Sequence, residues 1–142
     1  MDIPGLDPEE AVVAAAAASF RGSLATTAVG GSARTRAKRF DVWRRDAEAA
    51  GFPTAGTEML LALTPTRLVV CATSFWTERP TDAVGSVDLG RIAQVGVHRR
   101  GLLRVLTLVL HPGAIVEVEA VRGGRLRHLA TAVDAALRAQ GR

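Results

Sequence analysis

The chain carries one cysteine, one lysine and three histidines in 142 residues, and each scarcity excludes something. A lone thiol, Cys71, rules out an internal disulfide. It sits in the apolar run Leu68-Val69-Val70-Cys71-Ala72, where it reads as a small buried hydrophobe and not as a reactive group. One cysteine is compatible with a reducing compartment. His98, His111 and His128 are far apart, and none shows metal-ligand spacing. They read as solvated surface side chains, and the sequence points to no nucleophile–base pair and no metal site.

Other absences narrow the field further. The segment from Gly22 to Gly30-Gly31-Ser32 lacks the following Lys-Ser or Lys-Thr of a phosphate-binding loop. There is no dinucleotide fingerprint, so no cofactor and no small-molecule substrate are inferred. The longest suspicious run, residues 11–20, is mostly alanine and about half the length a membrane-spanning helix needs. Acids and Pro4 follow Met1 where a secretory leader would have a basic and then an apolar stretch, so no leader is expected. On these readings a cytoplasmic location is expected, with a peripheral place at the membrane as the alternative. Only Lys38 among 18 basic residues is a lysine. Together with abundant alanine, this looks like the coding bias of a GC-rich genome. Arginine richness and the net charge of +4 are therefore weak evidence for a nucleic-acid partner, which is disfavoured.

What is present is globular. Apolar residues make up 48% and charged residues 23%, so a chain of this length can bury one core without staples. Asp7-Pro8-Glu9-Glu10 carries the signals of a helix start, with an acid before proline and a second acid placed to complete a capping box. A first helix is expected over residues 8–21, followed by a Gly/Ser/Thr/Ala-rich linker over 22–32. A second helix is expected over 35–50, with Ala37, Phe40, Trp43, Ala47 and Ala50 on one face and Gly51 at its left-handed stop.

From Glu58 the period changes from helical to alternating. Residues 58–64 and 67–73 flank Pro65-Thr66 and read as a β-hairpin. Further strands are expected over 84–89, 93–99, 103–110 and 114–121. The last of these has Ala114, Val116, Val118 and Ala120 on a dry side and Ile115, Glu117, Glu119 and Val121 on a wetter one. A final helix over 125–140 carries the stripe Leu126, Leu129, Val133, Ala136 and Leu137. The fold class is α+β.

Three stretches carry a resemblance. They are Leu61-Ala62-Leu63-Thr64-Pro65-Thr66-Arg67-Leu68-Val69-Val70, Val87-Asp88-Leu89-Gly90-Arg91-Ile92-Ala93-Gln94-Val95 and Leu106-Thr107-Leu108-Val109-Leu110-His111-Pro112-Gly113. In order and spacing, residues 58–140 resemble the bacterial pleckstrin homology-like (PH-like) domains, including the GRAM-type group. The resemblance implies a bent antiparallel β-barrel or sheet of six to seven strands capped by the C-terminal helix. On this reading residues 1–57 form an N-terminal helical extension, and 58–142 form the PH-like domain. Six strands are read directly, and the seventh is expected within 74–83, around Phe75, Trp76 and Pro80. Relatives of this fold bind phosphoinositides, peptides or proteins. Those that bind phosphoinositides use basic residues in the first hairpin. This chain has Arg67 there with Glu58 nearby, so that headgroup site is not carried over.

The candidate interaction surface is the basic cluster Arg34, Arg36, Lys38, Arg39, Arg44 and Arg45, interleaved with Phe40 and Trp43. The competing reading makes the two aromatics core anchors and the arginines a solvated face interrupted by Asp41, Asp46 and Glu48. Glu117 and Glu119 share a strand face, and they read as surface carboxylates bonded to arginines such as Arg104 before they read as an acid–base pair. No catalytic, cofactor-binding or metal residue is assigned. The sequence is read as a non-enzymatic PH-like module that binds a protein partner or itself. The alternatives are anionic-membrane binding through residues 34–45 and an enzyme of unknown type.

Overall fold

The alanine run decides the architecture. A computed structural model describes residues 3–23, 32–73, 80–121 and 124–141. In it the run forms a strand, β1 (Ala14–Phe20), followed by α1 (Ala33–Ala49), β2 (Glu58–Leu63) and β3 (Arg67–Thr73). Then come β4 (Pro80–Asp88), a single 3-10 turn (Leu89–Arg91), β5 (Ile92–Arg100), β6 (Leu103–Leu110), β7 (Ala114–Val121) and α2 (Gly124–Ala139). All pairings are antiparallel, in the spatial order β4-β3-β2-β1-β7-β6-β5. The result is an open seven-stranded sheet with β4 and β5 as its edges, not a closed barrel.

The helix expected over 8–21 is therefore corrected to a turn and a strand, and one N-terminal helix is present where two were expected. Alanine's helix preference is worth only about 0.7 kcal/mol per residue against ordinary residues. The sheet offers more. Ala14 to Ser19 pair in register with Leu63 to Glu58, and Ser19 and Phe20 pair with Glu119 and Val118 of β7. Ala14, Ala16 and Ala18 face the main core and Phe20 is buried against the rings of α1, while Ala15 and Ala17 pack on a second cluster behind the sheet. A strand covered on both faces reads as an unbroken apolar run. The Asp-Pro-Glu-Glu signal does cap a turn. The Glu9 N–H donates to Asp7 Oδ1 at 3.0 Å and the Glu10 N–H to the Asp7 carbonyl at 2.9 Å, but no helix grows from it.

The hairpin expected around Pro65-Thr66 is β2–β3. The Thr64 N–H donates to the Arg67 carbonyl at 2.9 Å, and the Thr64 hydroxyl accepts from the Arg67 N–H at 3.2 Å. The strand expected over 84–89 is the second half of β4, which starts at Pro80. The seventh strand is β1, not a segment within 74–83. Residues 80–83 belong to β4, and residues 74–79 lie outside the described residues, as do 24–31 of the expected linker.

The main core joins Leu61, Leu63, Leu68 and Val70 from β2 and β3 to Leu106, Leu108, Leu110, Val116 and Val118 from β6 and β7. Leu126, Leu129, Val133 and Leu137 of α2 close it against β1, β2, β5 and β6. Each of these α2 side chains contributes about 1.5–3 kcal/mol by leaving water. The methyl groups of β1 let α2 approach the sheet closely. On the other face, Ile3, Leu60, Ala62, Val69 and Cys71 form the second cluster, with Leu6 and Val12 of the N-terminal arm packed on it. β2 and β3 are thus dry on both sides. No helix of the described residues is long and apolar enough to cross a membrane.

Candidate functional site

α1 is inserted between β1 and β2, and both its ends are defined locally. Ser32 is the N-cap, and its hydroxyl accepts from the Thr35 N–H at 3.1 Å. At the other end the Phe52 N–H reaches the Ala47 carbonyl and the Gly51 N–H the Glu48 carbonyl, both at 2.9 Å, with Gly51 at φ +82°. This is the Schellman arrangement that the Gly51 stop predicts.

One narrow row of α1 faces the sheet. Phe40 and Trp43 pack with Phe20 and Phe52 at ring-centroid separations between 5.3 and 6.4 Å. The Trp43 indole N–H donates to the Glu117 carbonyl of β7 at 2.8 Å, and Ala47 is buried beneath. Ala37, expected on this face, is exposed, and Arg36 takes the inner position. Its guanidinium lies over the Phe20 ring at 5.7 Å, donates twice to the Ser23 hydroxyl at 3.0 and 2.7 Å, and reaches Glu58 at 3.4 Å. Arginine suits this place because a planar cation can stack and donate at once.

The six basic residues of the cluster therefore do not form one patch. Arg36 points inward and holds α1 to β1 and β2. Arg44 lies 3.7 Å from Asp41 and over the Phe40 ring at 5.8 Å. Arg34, Lys38, Arg39 and Arg45 are exposed. Arg34, Lys38 and Arg45 recur on the outward face, with Asp41 between them. Beside them, Lys38, Arg39, Val42 and Trp43 join Arg21 and Gly22 in lining a shallow cleft of about 440 Å³. Val42, over half exposed, is its apolar rim.

Two charged clusters tie the frame together, and neither was paired correctly by sequence reasoning. Glu119 is buried and accepts from Arg21 Nη1 at 2.8 Å and from the Gly22 N–H at 2.6 Å. Glu117 accepts from the Thr107 hydroxyl at 2.9 Å. The expected partner Arg104 is not involved. The second cluster joins Arg67 to Glu10 through three hydrogen bonds, at 2.7, 2.9 and 3.3 Å, and to the Ser86 hydroxyl at 3.1 Å. The hydrogen bond from Arg67 holds the Glu10 carboxyl below its usual range, and Glu10 in turn raises Arg67. The one basic residue of the first hairpin is thus engaged inside the molecule. Alternation along β7 signalled the shared face of Glu117 and Glu119. Nothing local could signal a partner 98 positions away.

Cys71 is fully buried, and burial, with a smaller contribution from Asp82, pushes its thiol up to about 11. Among the described residues, no three His, Cys, Asp or Glu side chains gather as a metal site. The chain matches no protein-family profile and no curated protein sequence.

Proposed function

We propose that the chain is a non-enzymatic, PH-like interaction module that binds another protein, or a second copy of itself, through the outward side of α1 and the cleft beside it. The strand order with a helix closing the core supports the PH-like reading. One observation carries the interaction reading. A 17-residue helix is inserted into the sheet's connectivity, and the row of Arg36, Phe40, Trp43 and Ala47 is the part that faces the frame. Its outward side, with Val42 among Arg34, Lys38 and Arg45, is exposed. An apolar centre with a charged rim is the anatomy of a protein contact. A lipid reading of α1 is weaker, because Asp41, Asp46 and Glu48 interrupt its positive face and Arg36 and Arg44 are already engaged. An enzymatic reading needs a deep pocket with convergent polar groups, whereas here buried Glu119 and half-buried Glu10 close ion pairs with Arg21 and Arg67.

Sedimentation velocity over a wide concentration range tests the self-association form. The expected result is a reversible dimer that Val42→Asp and Lys38→Glu weaken. A strict monomer at every concentration removes that form and leaves only a different protein as partner.

A further inference from the structure

We propose that the β5–β6 hairpin is a contact point for an anionic lipid bilayer. This surface is separate from α1, and the proposal does not rest on the protein-binding reading.

The hairpin turns through Gly101, at φ +59°, and Leu102, after the last pair Arg100–Leu103. Leu102 is 81% exposed, more than any other large apolar side chain among the described residues. Val121, about half exposed, pairs with Leu103 on the neighbouring strand, on the sheet face that Arg100 shares. Arg99 and Arg104 lie on the opposite face, so arginines flank the Leu102 tip on both sides. The register places Arg99 directly opposite Arg104, an arrangement of like charges that disfavours the ladder. No carboxylate lies within 4 Å of any of the three guanidinium groups among the described residues. Their recorded partners are local. Arg99 donates to the Gly101 carbonyl at 3.1 Å, and Arg100 to His98 Nε2 at 3.5 Å.

An apolar tip flanked by arginines that have no carboxylate beside them is complementary to one kind of surface. Guanidinium forks pair with phosphate oxygens in two-point geometry. A protruding leucine behind them reaches the acyl boundary that begins just below the headgroups. A bilayer supplies both layers and yields to a convex tip. A protein partner would need a preformed hole with an acidic rim to match it. Basic residues held near an anionic leaflet are each attracted to it, and the attraction is screened by salt.

The test uses the full chain carrying Leu102→Cys labelled with an environment-sensitive fluorophore. Labelling is selective because Cys71 is buried with its thiol held protonated. The probes are vesicles of phosphatidylcholine alone and of phosphatidylcholine with phosphatidylserine, with circular dichroism confirming that each variant folds. The proposal expects sedimentation with the anionic vesicles only, a blue shift of the label on binding, and release by salt. The Arg99→Glu/Arg100→Glu double variant should lower partitioning by about tenfold or more. Leu102→Asp in the unlabelled chain should lower it by about fivefold or more, since the tip then has no apolar group to insert. No binding to anionic vesicles at low salt overturns the proposal. So does binding that survives the double variant but is lost in Arg34→Glu/Lys38→Glu, which would assign the membrane contact to α1. Hairpin-dependent retention on polyglutamate with no vesicle binding also overturns it, and would make the tip a contact for an acidic protein.

Discussion

Glu119, fully buried on β7, accepts a 2.8 Å hydrogen bond from Arg21, which lies just past the end of β1. The same carboxylate oxygen takes the Gly22 N–H at 2.6 Å. The pair sits where β1 and β7 meet through only Ser19 and Phe20, so it clamps the narrowest junction of the sheet. Arg21→Met removes this cation from the buried carboxylate. Because Arg21 is 29% exposed, the expected loss is about 2–3 kcal/mol, below the range for a fully buried pair. Urea unfolding measures it. Replacing both partners, Arg21→Met with Glu119→Leu, should recover part of the loss, since Glu119→Leu also takes the acceptor from the Gly22 N–H, and a double variant no better than the single one would contradict this account.

Glu10 and Arg67 predict an acid-sensitive N-terminal arm. The folded-state pKa of Glu10 lies below its unfolded value, because the Arg67 hydrogen bond favours the carboxylate. Unfolding then takes up a proton in acid. The stabilisation is present above the ordinary carboxyl value of 4.5 and fades as pH falls through the lower folded value. Hydrogen exchange in β2 and β3, behind which the arm packs, should rise over that window. In Glu10→Gln this pH dependence should be flattened.

Cys71 predicts the opposite sign at alkaline pH. Its thiol rises from 9.0 to about 11 in the folded state, so between these values the unfolded chain releases a proton that the folded chain keeps. Stability should fall as pH rises through that interval, and Cys71→Ala should remove this component. Alkylation of native protein at neutral pH should be slow and should track unfolding. Fast stoichiometric alkylation would show that the thiol is accessible.

Gly51→Ala should destabilise the chain. The residue stands at φ +82°, where a Cβ costs about 1–2 kcal/mol. A Cβ there would also collide with the Arg91 guanidinium, which donates to the Ala50 carbonyl at 3.0 Å. Thermal unfolding should show a lowered midpoint, and an unchanged one would mean that the chain relaxes at this turn without penalty.

Where the chemistry is local, the sequence was legible. The Ser32 cap and Gly51 stop delimit α1, Thr64-Pro65-Thr66 closes the β2–β3 turn, and the stripe on α2 is the face that meets the core. Alternation along β7 separated its two faces. Of the candidate surface, Phe40 and Trp43 were legible as anchors, but the inward turn of Arg36 was not. A charged residue in that row has no apolar signature, and its place depends on Phe20, Ser23 and Glu58.

From residue 32 onward, the sequence by itself determined most of the strands, both helices and the turn at Pro65-Thr66, because those preferences are set by neighbours within a few positions. Only the tertiary structure decided that Ala14–Phe20 is a central strand, that Glu119 belongs to Arg21, and that Arg99 and Arg104 face each other around Leu102. Alanine's weak local preference yields to a ladder on each side, and a buried charge finds its partner through space. Which charges stand opposed is a matter of register between strands.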